Sequence, residues 1–309
     1  MSRYALMWIV FNIVIAAILY VDLRVFARSG EMTLKKAALA CSAWISLALL
    51  FCAGIYFSLG SEKSLEFLAG YIIEYTLSMD NMFVFLLIFT YFGVPRIYQH
   101  RVLCWGIMGA IVMRFILIFA GVALVHAFEW IMYVFGAILI YSAFHMIKQP
   151  AEETNPAENL ALKLAKKIFP FKDSFDGEKF FVRENGKLYA TLLFATLVVI
   201  EASDLVFALD SIPAILAITT DRFIVYTSNV FAIIGLRALY FLLAGLMGLF
   251  RYLKYGIAAI LVFVGVKMLV SGFFEISAGV SLAVVAGMLA VSILSSVLLA
   301  GRMEGADGK

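Results

Sequence analysis

The chain is 309 residues long, 64% hydrophobic and only 15% charged, with a mean hydropathy of +1.01. A soluble domain carries about 25% charged residues, so these values exclude a soluble globular protein and define a polytopic membrane protein. The formal net charge of +3 says little by itself, because in such a chain the placement of Lys and Arg matters more than their sum.

A membrane helix needs about 20 mostly apolar residues, and the hydropathy pattern predicts an all-α bundle of about nine, at 4–23, 37–59, 65–92, 102–123, 129–147, 188–217, 223–249, 254–272 and 277–299. The first two make an N-terminal unit, 1–64, and no cleavable signal peptide is expected, because the first apolar run ends in "YVDLRVFARSG" without an A-x-A site. Units 65–148 and 188–272 hold three helices each, and 273–309 holds the last helix and a short tail. Between them, 149–187 mixes Lys, Glu, Asp, Asn and Pro and reads as an insert in water. Within it "KFFVRENGKLYAT" alternates apolar and polar residues around Asn185-Gly186, a pair suited to a type I′ hairpin turn. Cys41, Cys52 and Cys104 lie in apolar runs without CxxC or Cys/His spacing and read as core residues.

Two stretches resemble each other. "SMDNMFVFLL" matches "ASDLVFALDS" with Asp80 on Asp204, "AIVMRFILIFAG" matches "AIIGLRALYFLLAG" with Arg114 on Arg237, and "YVFGAILIYSAFHM" matches "YGIAAILVFVGVKM" with Tyr133 on Tyr255. Each copy is three helices, an odd number, so the second enters the membrane from the opposite side and the repeat is inverted. Transporters use this architecture, with the binding site between the repeats near the bilayer midplane. Of the basic residues outside Arg114 and Arg237, the nine-span reading puts 18 on one side of the membrane and four on the other. That asymmetry places the amino terminus outside and the carboxyl terminus, with the insert, in the cytoplasm.

Five carboxylates fall at membrane depth: Glu74, Asp80, Glu201, Asp204 and Asp210. An ionised side chain there costs roughly 2.5–3.5 kcal/mol even on a gentle insertion scale, so these groups must face one another or a wet cavity. Glu201 and Asp204 share a helix face, while Asp210 lies about 9 Å further along the axis and about 120° round. Pro213 lacks an N–H and leaves the Leu209 carbonyl without its usual partner. This predicts an opened turn beside Asp210, with Ser203 and Ser211 adding oxygens. The candidate ligands, Asn81 included, are all oxygen and suit Mg, Ca or Mn better than Zn or Cu. Met79 and Met82 flank Asp80; methionine on an apolar face is usually packing, with a softer thioether ligand favouring Mn as the lesser reading. His100, His126 and His145 do not cluster in the sequence. A purely structural reading makes Arg114 and Arg237 partners in buried ion pairs, yet two arginines neutralise only two of five carboxylates.

The motifs "EYTLSMDNMFVF", "FFVRENGKLYAT", "EASDLVFALDSIPAI" and "TSNVFAIIGLRALYFLL" resemble the TerC family of bacterial integral membrane proteins, in its Alx-like branch. The resemblance runs from about Asp22 to Val270. It implies a nine-helix plasma-membrane protein, linked within the family to manganese efflux and tellurium resistance, with members also described as pH-responsive or as redox modulators. It places the metal-handling acids on Glu74, Asp80, Glu201, Asp204 and Asp210. His145 stands where the first repeat of the family commonly has lysine, and Leu192 replaces a proline; neither touches the acidic cluster.

The expectation is therefore a divalent-cation exporter, Mn²⁺ first, with protons as counter-ion, working by alternating access in the inner membrane. No catalytic residues, permanently bound cofactor or nucleic-acid partner are expected. The alternatives are a non-transporting membrane partner for metal delivery or tellurium resistance, and a membrane redox modulator.

Overall fold

In the computed structural model, residues 3–26, 32–128, 130–148, 159–172, 174–184, 186–245, 253–274 and 276–304 are described. The helices are α1 (Arg3–Phe26), α2 (Leu34–Leu59), α3 (Ser61–Tyr91), α4 (Arg96–Ala127), α5 (Ile131–Lys148), α6 (Leu160–Ile168), α7 (Leu192–Leu216), α8 (Arg222–Ile234), α9 (Leu236–Ala244), α10 (Leu253–Leu269) and α11 (Ala278–Glu304), with a hairpin of β1 (Phe181–Glu184) and β2 (Lys187–Ala190).

Six helices, α2, α3, α4, α5, α7 and α11, are long and apolar enough to cross a membrane, and α8 with α9 makes a seventh if the bent pair is one span. The hydropathy pattern predicts nine. The apolar stretch Tyr4–Tyr20 of α1 and the 17 residues of α10 fall short on length. The expected single span at 223–249 is instead broken at Gly235, where α8 and α9 meet at 41°.

Local chemistry fixes the ends. Gly60, at φ +96°, lets α2 turn into α3 across one residue. Asp221 caps α8 by accepting from the amides of Phe223 and Ile224 at 3.0 and 3.3 Å. The hairpin pairs Phe181 with Ala190 and Glu184 with Lys187, as the alternation implies, and Gly186 takes φ +80°. Asn185, the other half of the expected turn, lies outside the described residues, as do 149–158 of the insert and Arg28, Arg251 and Lys309 of the charge count.

The helices of 65–148 and of 188–272 pack crosswise. Helix α3 lies against α8 as α4 lies against α7, and α5 pairs with α10. The α5–α10 contact brings backbone against backbone: a Cβ built on Gly136 would stand 2.8 Å from the Gly265 carbonyl, and one on Gly265 would stand 2.8 Å from the Gly136 carbonyl. In the repeat alignment Gly136 matches Ala258 and Ala143 matches Gly265, and both alanines are fully buried in one cluster. Small residues thus stand at both related positions, allowing the close backbone approach common between helices in lipid. Helix α1 closes the side of the bundle with Trp8 and Phe11 on Phe223 and Tyr226 of α8.

Candidate metal site

The centre of the polar interior is Arg114, on α4, with its side chain 1% exposed. Its Nη2 and Nε donate to the two carboxylate oxygens of Asp204 at 3.1 and 3.4 Å, the fork geometry that only arginine supplies. Its Nη1 donates to Ser211 Oγ at 3.1 Å and to Glu74 Oε1. Asp204 and Ser211 are seven residues apart on α7, two turns along one face, while Glu74 reaches in from α3. One guanidinium therefore serves two buried carboxylates. Glu74 Oε2 is left with no hydrogen-bond partner among the described residues.

Glu201 stands one turn before Asp204. The two line a small cavity, about 20 Å³, between α4, α7 and the start of α9, walled by Gly106, Ile107, Ala110 and Leu236 among others. That is room for about one water-sized particle. Helix α4 makes space for the Glu201 carboxylate with glycine: a Cβ on Gly109 would overlap it.

The other expected site residues lie elsewhere. Asp210 accepts a hydrogen bond from Ser142 Oγ of α5 at 2.7 Å. Its expected neighbours are otherwise engaged, Ser211 on Arg114 and Ser203 on the Val199 carbonyl at 2.8 Å. The cage expected around Asp210 is therefore not formed by Ser203 and Ser211. Nor does α7 open at Pro213: the helix runs on to Leu216, because the proline sits in its last turn, where few ladder bonds remain to be lost. Asp80 and Asn81 lie on α3 nearly two turns beyond Glu74, Asp80 partly and Asn81 almost wholly buried. Among the described residues, no three of His, Cys, Asp and Glu come together as a group that could hold a metal ion. The second arginine has a different role from the first. Arg237 Nη1 meets His100 Nε2 at 3.0 Å and Cys104 Sγ at 3.2 Å, so that imidazole nitrogen must be the acceptor.

Three polar residues of the interior escaped the sequence reading: Ser142, Ser78 and Asn229. Ser78 Oγ and both side-chain atoms of Asn229 are buried with no hydrogen-bond partner among the described residues. Ser78 is one turn along α3 from Glu74. Asn229 lies on α8, which packs against both α3 and α4. An unsatisfied buried amide costs about 1–3 kcal/mol. Asn229→Leu, of similar volume, is accordingly expected to stabilise the metal-free protein by about that amount, read as a higher thermal midpoint in detergent; an unchanged or lower midpoint would mean the amide is satisfied.

A second polar cluster closes one end of the bundle. Lys63 Nζ lies 2.8 Å from Glu66 and 3.6 Å from Asp221, Thr219 Oγ1 donates to Glu66 at 2.6 Å, and Tyr4 OH donates to Asp221 at 3.1 Å. These groups border an open cleft of about 630 Å³ together with His126 and Arg222.

A bundle of apolar helices with an arginine sealed between two carboxylates, and a third carboxylate on an adjoining void, is a multi-pass integral membrane protein with an acidic interior site. The family described as "Integral membrane protein TerC family" matches residues 59–304, and the chain belongs to it. It is 49% identical over 293 residues to "Uncharacterized membrane protein STKORF319" of Myxococcus xanthus, covering 94% of this chain and 92% of that one. It is 46% identical over 299 residues to the Escherichia coli (strain K12) protein named "Putative membrane-bound redox modulator Alx", covering 94% and 93%. An uncharacterized membrane protein of Rickettsia bellii is 41% identical over 292 residues, covering 94% and 97%. No solved structure matches the chain.

Proposed function

We propose that this TerC-family protein exports a divalent metal cation, Mn²⁺, from the cytoplasm across the plasma membrane in exchange for protons. The observation that carries the reading is the surplus of buried acid. Among the described residues, Arg114 is the one cation that meets Glu74 and Asp204, and Glu201 adds a third carboxylate on a void of ionic size. Oxygen is the common element of these groups and of Asp80, Asn81 and Asp210, which is the donor set that Mn²⁺ accepts. Arg114 holds the carboxylates in register and offsets part of their charge while the cation is absent. The crosswise packing of the two three-helix units supports an inverted repeat. In the proposed cycle, rocking of one copy against the other brings the acids, with Asn229 and Ser78, around the ion and then exposes it to the other side. The excess of basic residues on one side supports an outer amino terminus and a cytoplasmic insert and carboxyl terminus.

The test is uptake by inverted vesicles containing the purified protein, with Mn²⁺, Ca²⁺, Mg²⁺ and tellurite offered separately, with and without an imposed pH gradient. Mn²⁺ is expected to accumulate, faster when the vesicle interior is acidic, because outward-moving protons then drive it. Movement of none of the four would end the transport reading and leave a membrane partner or a redox role.

A further inference from the structure

We propose that α6 is an in-plane anchor that seats the 149–187 insert on an anionic lipid surface. The nine residues of α6, LALKLAKKI, begin at a well-made cap, Asn159 Oδ1 accepting from the amides of Ala161 and Leu162 at 3.0 and 3.3 Å. Only Leu162, at 2% exposure, is buried, and the helix packs on α7. Leu160, Leu164 and Ile168, at steps of four, are 72%, 51% and 72% exposed. They form one apolar stripe, with Leu164 about 160° round the helix from Leu162. Lys163, Lys166 and Lys167 are exposed along one flank of it.

Position decides what covers the stripe. Phe169, immediately after α6, meets the rings of Phe181 and Phe194 at 5.5 and 6.1 Å, and Phe194 is the third residue of the spanning helix α7. Trp105 of α4 meets Phe180 at 6.3 Å nearby. The stripe thus ends within a turn of the level where α7 enters the membrane, among aromatic side chains of the kind found at headgroup depth. An apolar stripe bordered by lysines at that level matches the boundary between acyl chains and anionic headgroups, with the ammonium groups reaching the phosphates. A second copy of α6 is a poorer cover, since it would bring three further lysines against these three. Such an anchor is independent of ion transport.

The test uses the full chain with an environment-sensitive fluorophore on Ile168→Cys or, separately, Lys166→Cys; the native cysteines are buried. The protein is reconstituted in phosphatidylcholine vesicles with and without phosphatidylglycerol. With the anionic lipid, the label at 168 is expected to emit at shorter wavelength, to lose intensity to nitroxide-bearing lipid and to resist acrylamide in the water. The label at 166 is expected to lose intensity to acrylamide. Free access of acrylamide to 168 would overturn the proposal, as would protection from both quenchers, the mark of a protein cover. Equal lipid quenching in both vesicle types would overturn the role given to the lysines.

Discussion

Arg114→Met is expected to destabilise the protein by about 3–5 kcal/mol, the range for removing one partner of a buried ion pair, and to do so more severely than any other single substitution in the interior. Methionine fills much of the volume and suits an apolar helix, so packing contributes little to the loss. What is lost is the guanidinium bonded to both Glu74 and Asp204, leaving two buried carboxylates without their shared cation. Uptake of a proton by one of them would limit the damage. Arg114→Lys keeps the charge but cannot reproduce the two-pronged grip on Asp204, and should fall between. The check is thermal unfolding in detergent, with Arg114→Met/Asp204→Asn as the companion. If the arginine exists to compensate acid, removing the acid as well must recover part of the loss; a double variant less stable than Arg114→Met would show that the guanidinium acts through packing.

Glu201→Gln is expected to reduce Mn²⁺ transport to background while leaving the thermal midpoint of the metal-free protein equal or raised. Glu201 is not bonded to Arg114 in the structure, so its neutral isostere strands no partner. Asp210→Asn should behave likewise in transport, since it keeps shape and removes a charged ligand. Wild-type binding should weaken as pH falls: a carboxylate must shed its proton to hold a metal, so protons and Mn²⁺ compete for the same oxygens. Calorimetry at two pH values checks both statements. Equal Mn²⁺ affinity in wild type and Glu201→Gln would remove Glu201 from the site, and affinity that rose on acidification would contradict carboxylate ligation altogether.

The sequence exposed the acids and Arg114 because a charge in an apolar run is costly and therefore conspicuous. It could not say which arginine meets which acid, since that depends on how α3, α4 and α7 cross. Repeat symmetry suggests equal roles for Arg114 and Arg237, and the structure gives them unequal ones. A cause is visible in the two copies: Ala110 and Arg114 are four residues apart, Ala232 and Arg237 five. The additional residue turns the rest of the helix by about 100°, and the helix bends there, at Gly235. Pro213 is the conspicuous breaker in the sequence, but a proline in a final turn has little to break. Asn229, Ser78 and Ser142 carry no charge, so a search for costly ions passes over them; only burial without partners, or a bond to Asp210, reveals them. The hairpin was legible because its alternation and turn glycine are local features, needing no tertiary contact to specify them.

The glycine contact between α5 and α10 bears on how such a bundle could move. Two backbones whose carbonyls each come within 2.8 Å of where the other's Cβ would be have no side-chain layer between them to slide along and no filler to lose on parting. If the two copies rock, this junction is their fulcrum. Displacement then grows with distance from it, so the acids on α3 and α7 would sweep further than Gly136 or Gly265, and a methyl group added at either glycine would act as a wedge under the lever, altering the swing of the whole half-molecule from a point that touches no ion.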